Sequence, residues 1–379
     1  MPNAPLTFYE FFAGGGMART GLGEGWRCLF ANDFDPRKTV VYRDNFGGDD
    51  LTEGDVWAVR PDQLPGRADL AWASSPCQDL SLAGRRAGLG GARSSAFWGF
   101  WRLIEALAAE GRAPRAVVIE NVVGLLTSHG GADFTALCGA FARAGYRFGA
   151  VEMDAALFTP QSRPRMFLVA VRVGPSRDVA VEPAAPFHSA RVVEAFARLP
   201  EDLKTCWQWW RLPPPPARNT HLHALLEPDD AVKWRDAAQT AALVAQLTPR
   251  HRARLDAAVA KDGRAVAAVY RRIRVEKGQR VQRAELRLDG LAGCLRTAGG
   301  GSSRQFLLFA EPGRIRSRML SPREGARLMG LPDDYRLPRA ATAALHVAGD
   351  GVAVPVVRWL AQTLLEPLLL APEQTLAAE

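Results

Sequence analysis

Residues 6 to 17 read LTFYEFFAGGGM, a largely apolar run that ends in three consecutive glycines. The run Leu6–Phe12 has the length and composition of a buried β-strand, and glycines after a strand allow the backbone to approach a ligand closely. A dinucleotide loop would read Gly-x-Gly-x-x-Gly, but here Arg19 stands at the position of the third glycine. The segment therefore predicts a strand and a ligand-binding turn that does not suit a dinucleotide.

Two acidic residues follow the next segments of the chain. Asp33 comes after the apolar run Arg27–Ala31, at about the spacing where an acid binds ribose hydroxyls in nucleotide-binding folds. Asp55, within Glu53-Gly54-Asp55-Val56, is suited to accept a hydrogen bond from an adenine amino group. A glycine turn alone is common in α/β proteins, but together with these acids it favours a nucleoside ligand without a pyrophosphate.

The first half of the chain alternates short apolar runs with helical patterns, which is typical of βαβ units and a mostly parallel sheet. Ligands of such sheets bind at the carboxyl ends of the strands. The further strand predictions are Leu70–Ala73, Ala116–Glu120 and Met166–Val173, and the helix predictions are Ala96–Glu110 and Asp133–Ala144. We expect an α/β fold.

The composition is that of a folded protein with excess positive charge. The 379 residues are enough for two domains, and the formal net charge of +8 favours polyanionic partners. The cations are mostly arginine, which contacts phosphates and guanine edges well, although the same usage is typical of a GC-rich genome. Met1–Glu10 has no signal-peptide pattern, and the apolar stretch Trp359–Ala371 is too short to cross a membrane, so we expect a cytoplasmic protein.

The cysteines and histidines do not predict a metal site. The five cysteines are scattered without a Cys-x-x-Cys pair, and His221-x-His223 lacks a third ligand. Four of the cysteines are interpreted as packing residues, as are the tryptophans of the segment 207–210, which more often form a core than stack on bases. These residues are Cys28, Cys138, Cys206, Cys294, Trp207, Trp209 and Trp210.

The pattern changes after Val173. From Arg264 to Arg287 there are eight Arg or Lys and two Glu, mixed with β-branched residues, which predicts short strands with one basic face that contacts DNA. The alternative is a solvated sheet edge protected by its charges. Pro213–Pro216 predicts an extended spacer, and Ser321-Pro322-Arg323-Glu324 predicts a helix start with serine as the N-cap.

Six segments, in one order along the chain, resemble the motifs of DNA cytosine-5 methyltransferases. A single motif can arise by chance, but six in order are specific to the family. The unmatched part, about residues 175–290, is where the family keeps its variable target-recognition domain, and Asp350 departs from the asparagine that the family often has. The segments are Phe12-Ala13-Gly14-Gly15-Gly16, Ser75-Pro76-Cys77-Gln78, Glu120-Asn121-Val122, Gln161-x-Arg163-x-Arg165, Arg296-Thr297 with Gly299–Gly301, and Gly349-Asp350-Gly351-Val352.

The resemblance implies a Rossmann-like, S-adenosylmethionine-dependent methyltransferase sheet with a smaller target-recognition domain. Residues 1–174 are expected to form the catalytic, cofactor-binding domain, residues 175–312 the target-recognition domain, and residues 313–379 the C-terminal helices that complete the catalytic domain. The cofactor is expected to be S-adenosyl-L-methionine. Its binding residues would be Phe12, Gly14, Gly16, Met17, Asp33, Phe34, Asp55, Val56, Pro76, Asp350, Gly351 and Val352.

The resemblance also implies the catalytic groups. Cytosine C5 is a poor nucleophile until a thiolate adds to C6 and makes C5 enamine-like, and Cys77 is expected to supply that thiolate. Glu120 would protonate or hold N3, because burial favours the neutral form of a carboxyl group. Arg165 would donate to the cytosine O2, and Arg163 would support Glu120 or a phosphate, since alternate residues of an extended segment share a face. A water is expected to remove the C5 proton.

The target atom cannot be reached inside a duplex, so the base must be flipped out. The Gly- and Arg-rich stretch Leu82–Ser95 is predicted to be a mobile loop that closes over DNA. We expect a monomer that acts on double-stranded DNA, without a metal or a membrane, and the sequence is compatible both with a cognate restriction endonuclease and with a solitary enzyme. The predicted DNA contacts are Gln78, Ser81, Arg85, Arg93, Gln161, Arg296 and Thr297.

Two other functions fit the sequence less well than DNA methylation. A transfer-RNA cytosine-5 methyltransferase of the same family would carry a Cys-Phe-Thr segment, which is absent, and would lack the large basic insert. A non-catalytic DNA-binding regulator is disfavoured because Cys77, Glu120, Arg163 and Arg165 are all present. The recognised DNA sequence does not follow from the amino-acid sequence, because it depends on loops and on DNA shape.

Overall fold

The computed structural model describes residues 4–76, 96–172, 179–276, 278–296 and 304–370. The chain packs as two compact units. The first comprises Met1–Asp154, Pro164–Pro215 and Val352–Glu379, and the second comprises Ala155–Arg163 and Pro216–Gly351. These units reflect packing alone, and the functional domain limits given above stay a prediction.

Strands and helices alternate through the first half of the chain, as predicted. The strands are β1 Leu6–Phe11, β2 Trp26–Asp33, β3 Leu51–Glu53, β4 Leu70–Ala73, β5 Ala116–Val122, β6 Arg147–Asp154, β7 Pro164–Val171, β8 Val179–Ala180, β9 Trp209–Trp210, β10 Ala265–Glu276, β11 Gln279–Arg287, β12 Phe306–Glu311 and β13 Arg314–Met319. The helices are α1 Met17–Leu22, α2 Pro36–Phe46, α3 Ala96–Ala109, α4 Ala132–Arg143, α5 Ala190–Ala197, α6 Glu201–Lys204, α7 Ala237–Ala245, α8 Pro249–Val259, α9 Pro322–Leu328, α10 Ala341–Asp350, α11 Val354–Leu360 and α12 Glu366–Leu370.

The first unit is built on a seven-stranded sheet in the order β3-β2-β1-β4-β5-β7-β6. Strands β1 to β5 run parallel, whereas β7 is antiparallel to both β5 and β6. The predicted α/β fold with a mostly parallel sheet is confirmed. Because β7 runs in the opposite direction, its first residues lie at the carboxyl edge of the parallel strands, where ligands of such sheets bind.

The edge strand β6 was not predicted from the sequence, since Arg147, Gly149 and Glu152 interrupt its apolar residues. Its outer edge is covered by the segment 206–210: the Gln208 amide donates to the Phe148 carbonyl at 2.7 Å. The three tryptophans of this segment are buried, and Trp210 Nε1 donates to the Gly149 carbonyl at 3.0 Å. Their interpretation as packing residues is confirmed, but they lie in the first unit, where Trp209 and Trp210 form β9 and pair with β8, rather than in a smaller domain.

Gly149 lies directly against this covering segment. A Cβ atom at residue 149 would lie 1.8 Å from the Gln208 backbone oxygen, so Gly149→Ala must push the two segments apart. We expect it to lower the free energy of unfolding by about 1–3 kcal/mol, measured by urea denaturation. Gly25→Ala is the control, because a Cβ there meets nothing within 4 Å. Equal stability of the two variants would contradict the packing described here.

The second unit contains a four-stranded antiparallel sheet in the order β11-β10-β12-β13. Its apolar side chains, with those of α7 and α8, form a separate core around Leu243, Leu255, Val269 and Leu308. The strands predicted within Arg264–Arg287 are confirmed as the hairpin β10–β11. The expected single basic face is not formed, because alternate residues of a strand point to opposite sides and the arginines occupy both.

The helix predicted to start at Ser321 is confirmed. The Glu324 amide donates to Ser321 Oγ at 3.1 Å, and the Ser321 amide donates to Glu324 Oε2 at 2.9 Å, which is a capping box. The same carboxylate accepts two hydrogen bonds from Arg318, at 2.7 and 2.6 Å, and both side chains are 1% exposed. This buried pair links β13 to α9.

One stretch, Ala341–Leu370, is long and apolar enough to satisfy a length-and-composition criterion for a membrane span. Of the 18 consecutive residues of this stretch that are most apolar, 67% are buried inside the protein. The helical backbone is also interrupted at residues 351–353, between α10 and α11. The apolar composition of this stretch is that of buried core helices in a folded protein.

Candidate active site

The predicted ligand-binding turn follows β1 directly. Phe12 and Gly14 both have φ of 57°, and Gly16 has φ of 77°. The Gly16 amide donates to the Ala13 carbonyl at 2.8 Å, and a Cβ on Gly16 would lie 2.3 Å from the Phe46 ring. Left-handed backbone and this close contact explain why glycines are needed at the turn. Met17 starts α1 and is 2% exposed.

Asp33 holds this turn from the end of β2. Its two carboxylate oxygens accept hydrogen bonds from the Gly14 and Asp35 amides, each at 2.8 Å. Burial raises the pKa of Asp33 above its ordinary value. A carboxylate has about four acceptor positions, so these bonds leave capacity for the predicted ribose hydroxyls.

Three further side chains lie at the carboxyl ends of β2 and β3. Phe34, next to Asp33, is an aromatic ring with 64% of its surface exposed. Asp55 is also exposed and accepts the Trp57 amide at 3.0 Å, whereas Val56 is buried. An exposed aromatic ring and an exposed carboxylate near a buried aliphatic residue suit a planar base with an amino group.

Glu10, near the carboxyl end of β1, provides a test of whether this region suits a cationic nucleoside. The residue is 1% exposed, and its Oε1 accepts the Arg19 amide at 3.3 Å. Its Oε2 finds no hydrogen-bond partner among the described residues, and burial raises the pKa of the carboxyl to about 8. A buried acidic oxygen of this kind is stabilised by a nearby positive charge. S-adenosylmethionine carries a sulfonium and an ammonium group, so the residues present fit it.

The segment that leads to Cys77 is anchored by Asn121. Asn121 Nδ2 donates to the Ser75 carbonyl at 3.0 Å and to Ser75 Oγ at 3.1 Å, and Asn121 Oδ1 accepts the Val122 amide at 2.8 Å. Both Asn121 and Ser75 are buried. Asn121 therefore fixes the backbone two residues before Cys77.

Glu120 is held by Arg165. Val122 pairs with Arg165 across β5 and β7, and the Arg165 Nε lies 3.0 Å from Glu120 Oε1. The two side chains are largely buried, with 16% and 8% of their surface exposed. Arg165 therefore contacts Glu120 directly, and the support of Glu120 by Arg163 stays a prediction.

Gln161 and Arg163 lie in the second unit and are buried there. Gln161 is 0% exposed: it donates to the Leu328 carbonyl at 3.0 Å and accepts the Leu295 amide at 3.0 Å. These two bonds hold the Gln161 amide against the backbone of the second unit, and its DNA contact stays a prediction. Arg163 donates to the carbonyls of Leu295, Gly349 and Gly351 at 2.8, 2.9 and 2.6 Å, and its contact with a phosphate stays a prediction.

The other predicted site residues are distributed as follows. Arg296 and Asp350 are exposed in the second unit, Gly351 is half-buried there, and Val352 is buried in the first unit. Pro76 is half-buried at the end of the described segment. Cys77, Gln78, Ser81, Arg85, Arg93 and Thr297, with the predicted loop Leu82–Ser95, lie outside the described residues.

Arg102, which was not predicted from the sequence, organises the turn after Asp55. Arg102 lies on α3, and its Nη2 donates to the carbonyls of Val56, Trp57 and Val59 at 3.3, 2.7 and 2.6 Å. Its guanidinium also stands 5.5 Å from the centre of the Trp57 ring. No sequence signal identifies this role, because the arginine is more than forty residues from the turn.

Comparison with known proteins supports one family. A family model described as C-5 cytosine-specific DNA methylase matches residues 6–366. The chain is similar to the Type II methyltransferase M.HhaI of Haemophilus parahaemolyticus, with 26% identity over 97% of this chain and 96% of that protein. It is also similar to M.HpaII of Haemophilus parainfluenzae, with 24% identity over 96% and 90%.

Solved structures share the fold at lower identity. The S. pombe Dnmt2 methyltransferase aligns with a TM-score of 0.58 at 16% identity, covering 96% of this chain and 99% of that one. The Entamoeba histolytica methyltransferase EhMeth aligns with a TM-score of 0.59 at 13% identity, covering 96% and 98%. The expected Rossmann-like methyltransferase fold is confirmed by these likenesses.

Asn121→Ala tests the anchor before Cys77. The change leaves the buried Ser75 carbonyl and the Val122 amide without the hydrogen bonds described above. We expect the free energy of unfolding to fall by about 1–3 kcal/mol in urea denaturation. Asn219→Ala, at an exposed position, should change it by less than about 0.5 kcal/mol. A neutral Asn121→Ala would show that the anchor does not hold the segment.

Proposed function

Because the chain belongs to the C-5 cytosine-specific DNA methylase family, we propose that Cys77 adds to C6 of a cytosine flipped out of duplex DNA. The proposal rests on one observation: the segment before Cys77 and the residues Glu120, Asn121 and Arg165 lie at the same edge of the sheet. There Asn121 fixes the backbone just before Cys77, and Arg165 holds Glu120 on the same strand as Asn121. The described segment that leads to Cys77 follows β4, and Glu120 lies on the neighbouring strand β5.

The chemistry assigns one role to each side chain. The Cys77 thiolate forms a bond to C6, and the ring electrons shift towards N3, where Glu120 donates or shares a proton. S-adenosylmethionine supplies an electrophilic methyl group to C5. A water then removes the C5 proton, and Cys77 leaves with the electrons of the sulfur–C6 bond, which restores the aromatic ring. Arg165 keeps Glu120 in one orientation, and its donation to the cytosine O2 stays part of the proposal.

The cofactor residues follow the geometry at the carboxyl edge. The backbone at Phe12, Gly14 and Gly16 would approach the methionyl part, Asp33 would accept ribose hydroxyls, and Asp55 would accept the adenine amino group. Phe34 and Val56 would contact the two faces of the adenine ring. Met17, Pro76, Asp350, Gly351 and Val352 remain proposed cofactor contacts, and an aspartate at 350 accepts where asparagine can also donate.

The substrate is double-stranded DNA in this proposal, and the enzyme works as a cytoplasmic monomer. The second unit would carry target recognition, with Arg296 and Thr297 near its DNA-facing backbone and Gln78, Ser81, Arg85 and Arg93 around the flipped nucleotide. Both curated relatives described above are named Type II methyltransferases. A cognate restriction endonuclease is therefore a proposed partner, which a search of the neighbouring genes would test.

The first test is Cys77→Ala. Plasmid recovered from cells that express the wild-type chain should carry methylated cytosines within one short sequence, read by base-resolution bisulfite sequencing. Cys77→Ala should abolish this methylation, because no other side chain is proposed to add to C6. Cys206→Ala is the matched control and should retain it. An unmethylated plasmid from folded wild-type protein would exclude duplex DNA as the substrate, and transfer RNA would be assayed next.

A second test concerns the adenine contact. Asp55→Asn keeps a side-chain oxygen that can accept the Trp57 amide. It removes the negative charge that would strengthen the hydrogen bond from the adenine amino group. We expect the affinity for S-adenosylmethionine, measured by titration calorimetry, to fall about 5- to 50-fold. Asp62→Asn, on the next turn, removes an exposed carboxylate paired with Arg60 and should leave the affinity unchanged. Equal affinities for the two variants would remove Asp55 from the cofactor site.

A further inference from the structure

The hairpin β10–β11 extends beyond the rest of its sheet. The two strands pair from Ala268 with Arg287 to Glu276 with Gln279, whereas β12 pairs with β10 only between Ala265 and Val269. Within the part of the chain that the structure describes, residues 270–276 and 279–285 pair with no third strand, and we call this hairpin segment the arm. At its base the Ala284 amide donates to the Gln246 carbonyl at 2.9 Å. Since side chains alternate along each strand, the arm has two faces that can be compared directly.

On one face, which we call the paired face, two glutamates of the arm offset part of the charge of three arginines. Arg272 and Arg274 both reach Glu285, the first at 3.5 Å. Arg283 Nε donates to Glu276 Oε1 at 2.7 Å. These carboxylates would also repel the phosphates of a nucleic acid, so this face is a poor DNA-binding surface.

The opposite face, which we call the open face, carries no acid. It consists of Arg271, Ile273, Val275, Arg280 and Gln282, and Arg271 donates to Gln282 Oε1 at 3.3 Å. Ile273 and Val275 are 51% and 73% exposed. Ile273 lies opposite Gln282, and Val275 lies opposite Arg280, so two apolar and two polar side chains form one exposed block.

We propose that the open face of the arm enters the major groove of the target DNA and reads its bases. The major groove admits a two-stranded β-ribbon, and the block carries the side chains that distinguish base edges there. Arginine donates to guanine O6 and N7, glutamine pairs with adenine N6 and N7, and branched apolar side chains contact the thymine methyl group. Because this face carries arginines and no acid, its charge is complementary to that of DNA. The inference rests on the proposed function, since it requires duplex DNA as the substrate.

The geometry of the ribbon limits what the block can read. Residues 280 and 282 are two apart on one strand, which separates them by about 7 Å, or roughly two base-pair steps. Arg280 and Gln282 should therefore determine two nearby positions of the recognised sequence. Ile273 and Val275, on the partner strand, would contact groups at the same two levels.

The test compares matched substitutions on the two faces. Arg280→Gln and Gln282→Ala change the open face, and Arg283→Gln and Gln279→Ala make the same changes on the paired face of the same strand. Purified proteins with equal thermal melting curves would methylate a pooled duplex library, read by bisulfite sequencing. We expect each open-face variant to accept other bases at one or two positions of the wild-type sequence. Its kcat/KM on that sequence should fall about 10-fold or more.

The paired-face variants should keep the wild-type sequence preference, with kcat/KM within about 2-fold. Open-face variants that retain both the sequence preference and kcat/KM would overturn the inference, as would a change confined to the paired face. A wild-type protein that methylates no duplex in the library overturns the proposed function together with the inference. If the wild-type protein methylates one sequence, the proposed function holds, and the variants then test the inference by itself.

Discussion

The active-site region depends on the reversed direction of one strand. β7 is inserted antiparallel between β5 and β6, so its first residues lie at the carboxyl edge of β5 rather than at the opposite end. Arg165 can therefore sit across from Val122 and hold Glu120 at 3.0 Å. A parallel strand in the same place would bring its last residues to this edge, and an arginine at its start would lie the length of the strand away. The buried carboxylate would then lack its cation, which is costly inside a protein.

The segment Gln161-x-Arg163-x-Arg165 illustrates what can and cannot be predicted from spacing. Its residues alternate, which indicated one shared face, but the first unit begins again at Pro164. Arg165 consequently acts within the first unit, whereas Gln161 and Arg163 bind the backbone of the second, at Leu295 and at the Gly349–Gly351 segment. The family resemblance pointed to all three residues. Their packing could not be predicted from spacing, because Arg163 contacts the Leu295 carbonyl more than 130 positions away.

Local patterns predicted the fold well where local physics determines it. The apolar runs became β1, β2, β4, β5 and β7, and the Ser-Pro-x-Glu sequence became the capped start of α9, since both depend on neighbouring residues. The missed features depend on distant partners: β6 is stabilised by the segment around Gln208, and the turn after Asp55 is organised by Arg102. The same limit applies to charge, because no count of arginines shows which of them faces a glutamate.

The ion pairs of the arm affect the surface charge of the second unit more than they affect its folding stability. Exposed ion pairs contribute little to folding, because water and salt screen them and two long side chains must be ordered. The pairs of Arg272, Arg274 and Arg283 with Glu285 and Glu276 are of this kind, with most of these side chains substantially exposed. Their main consequence is to reduce the positive charge on one side of the arm, where two glutamates stand against three arginines. The other side carries arginines without an acid, so the two faces of the arm differ in their attraction for phosphates. Such a difference favours one orientation on DNA, and orientation is what phosphate contacts supply before bases are read.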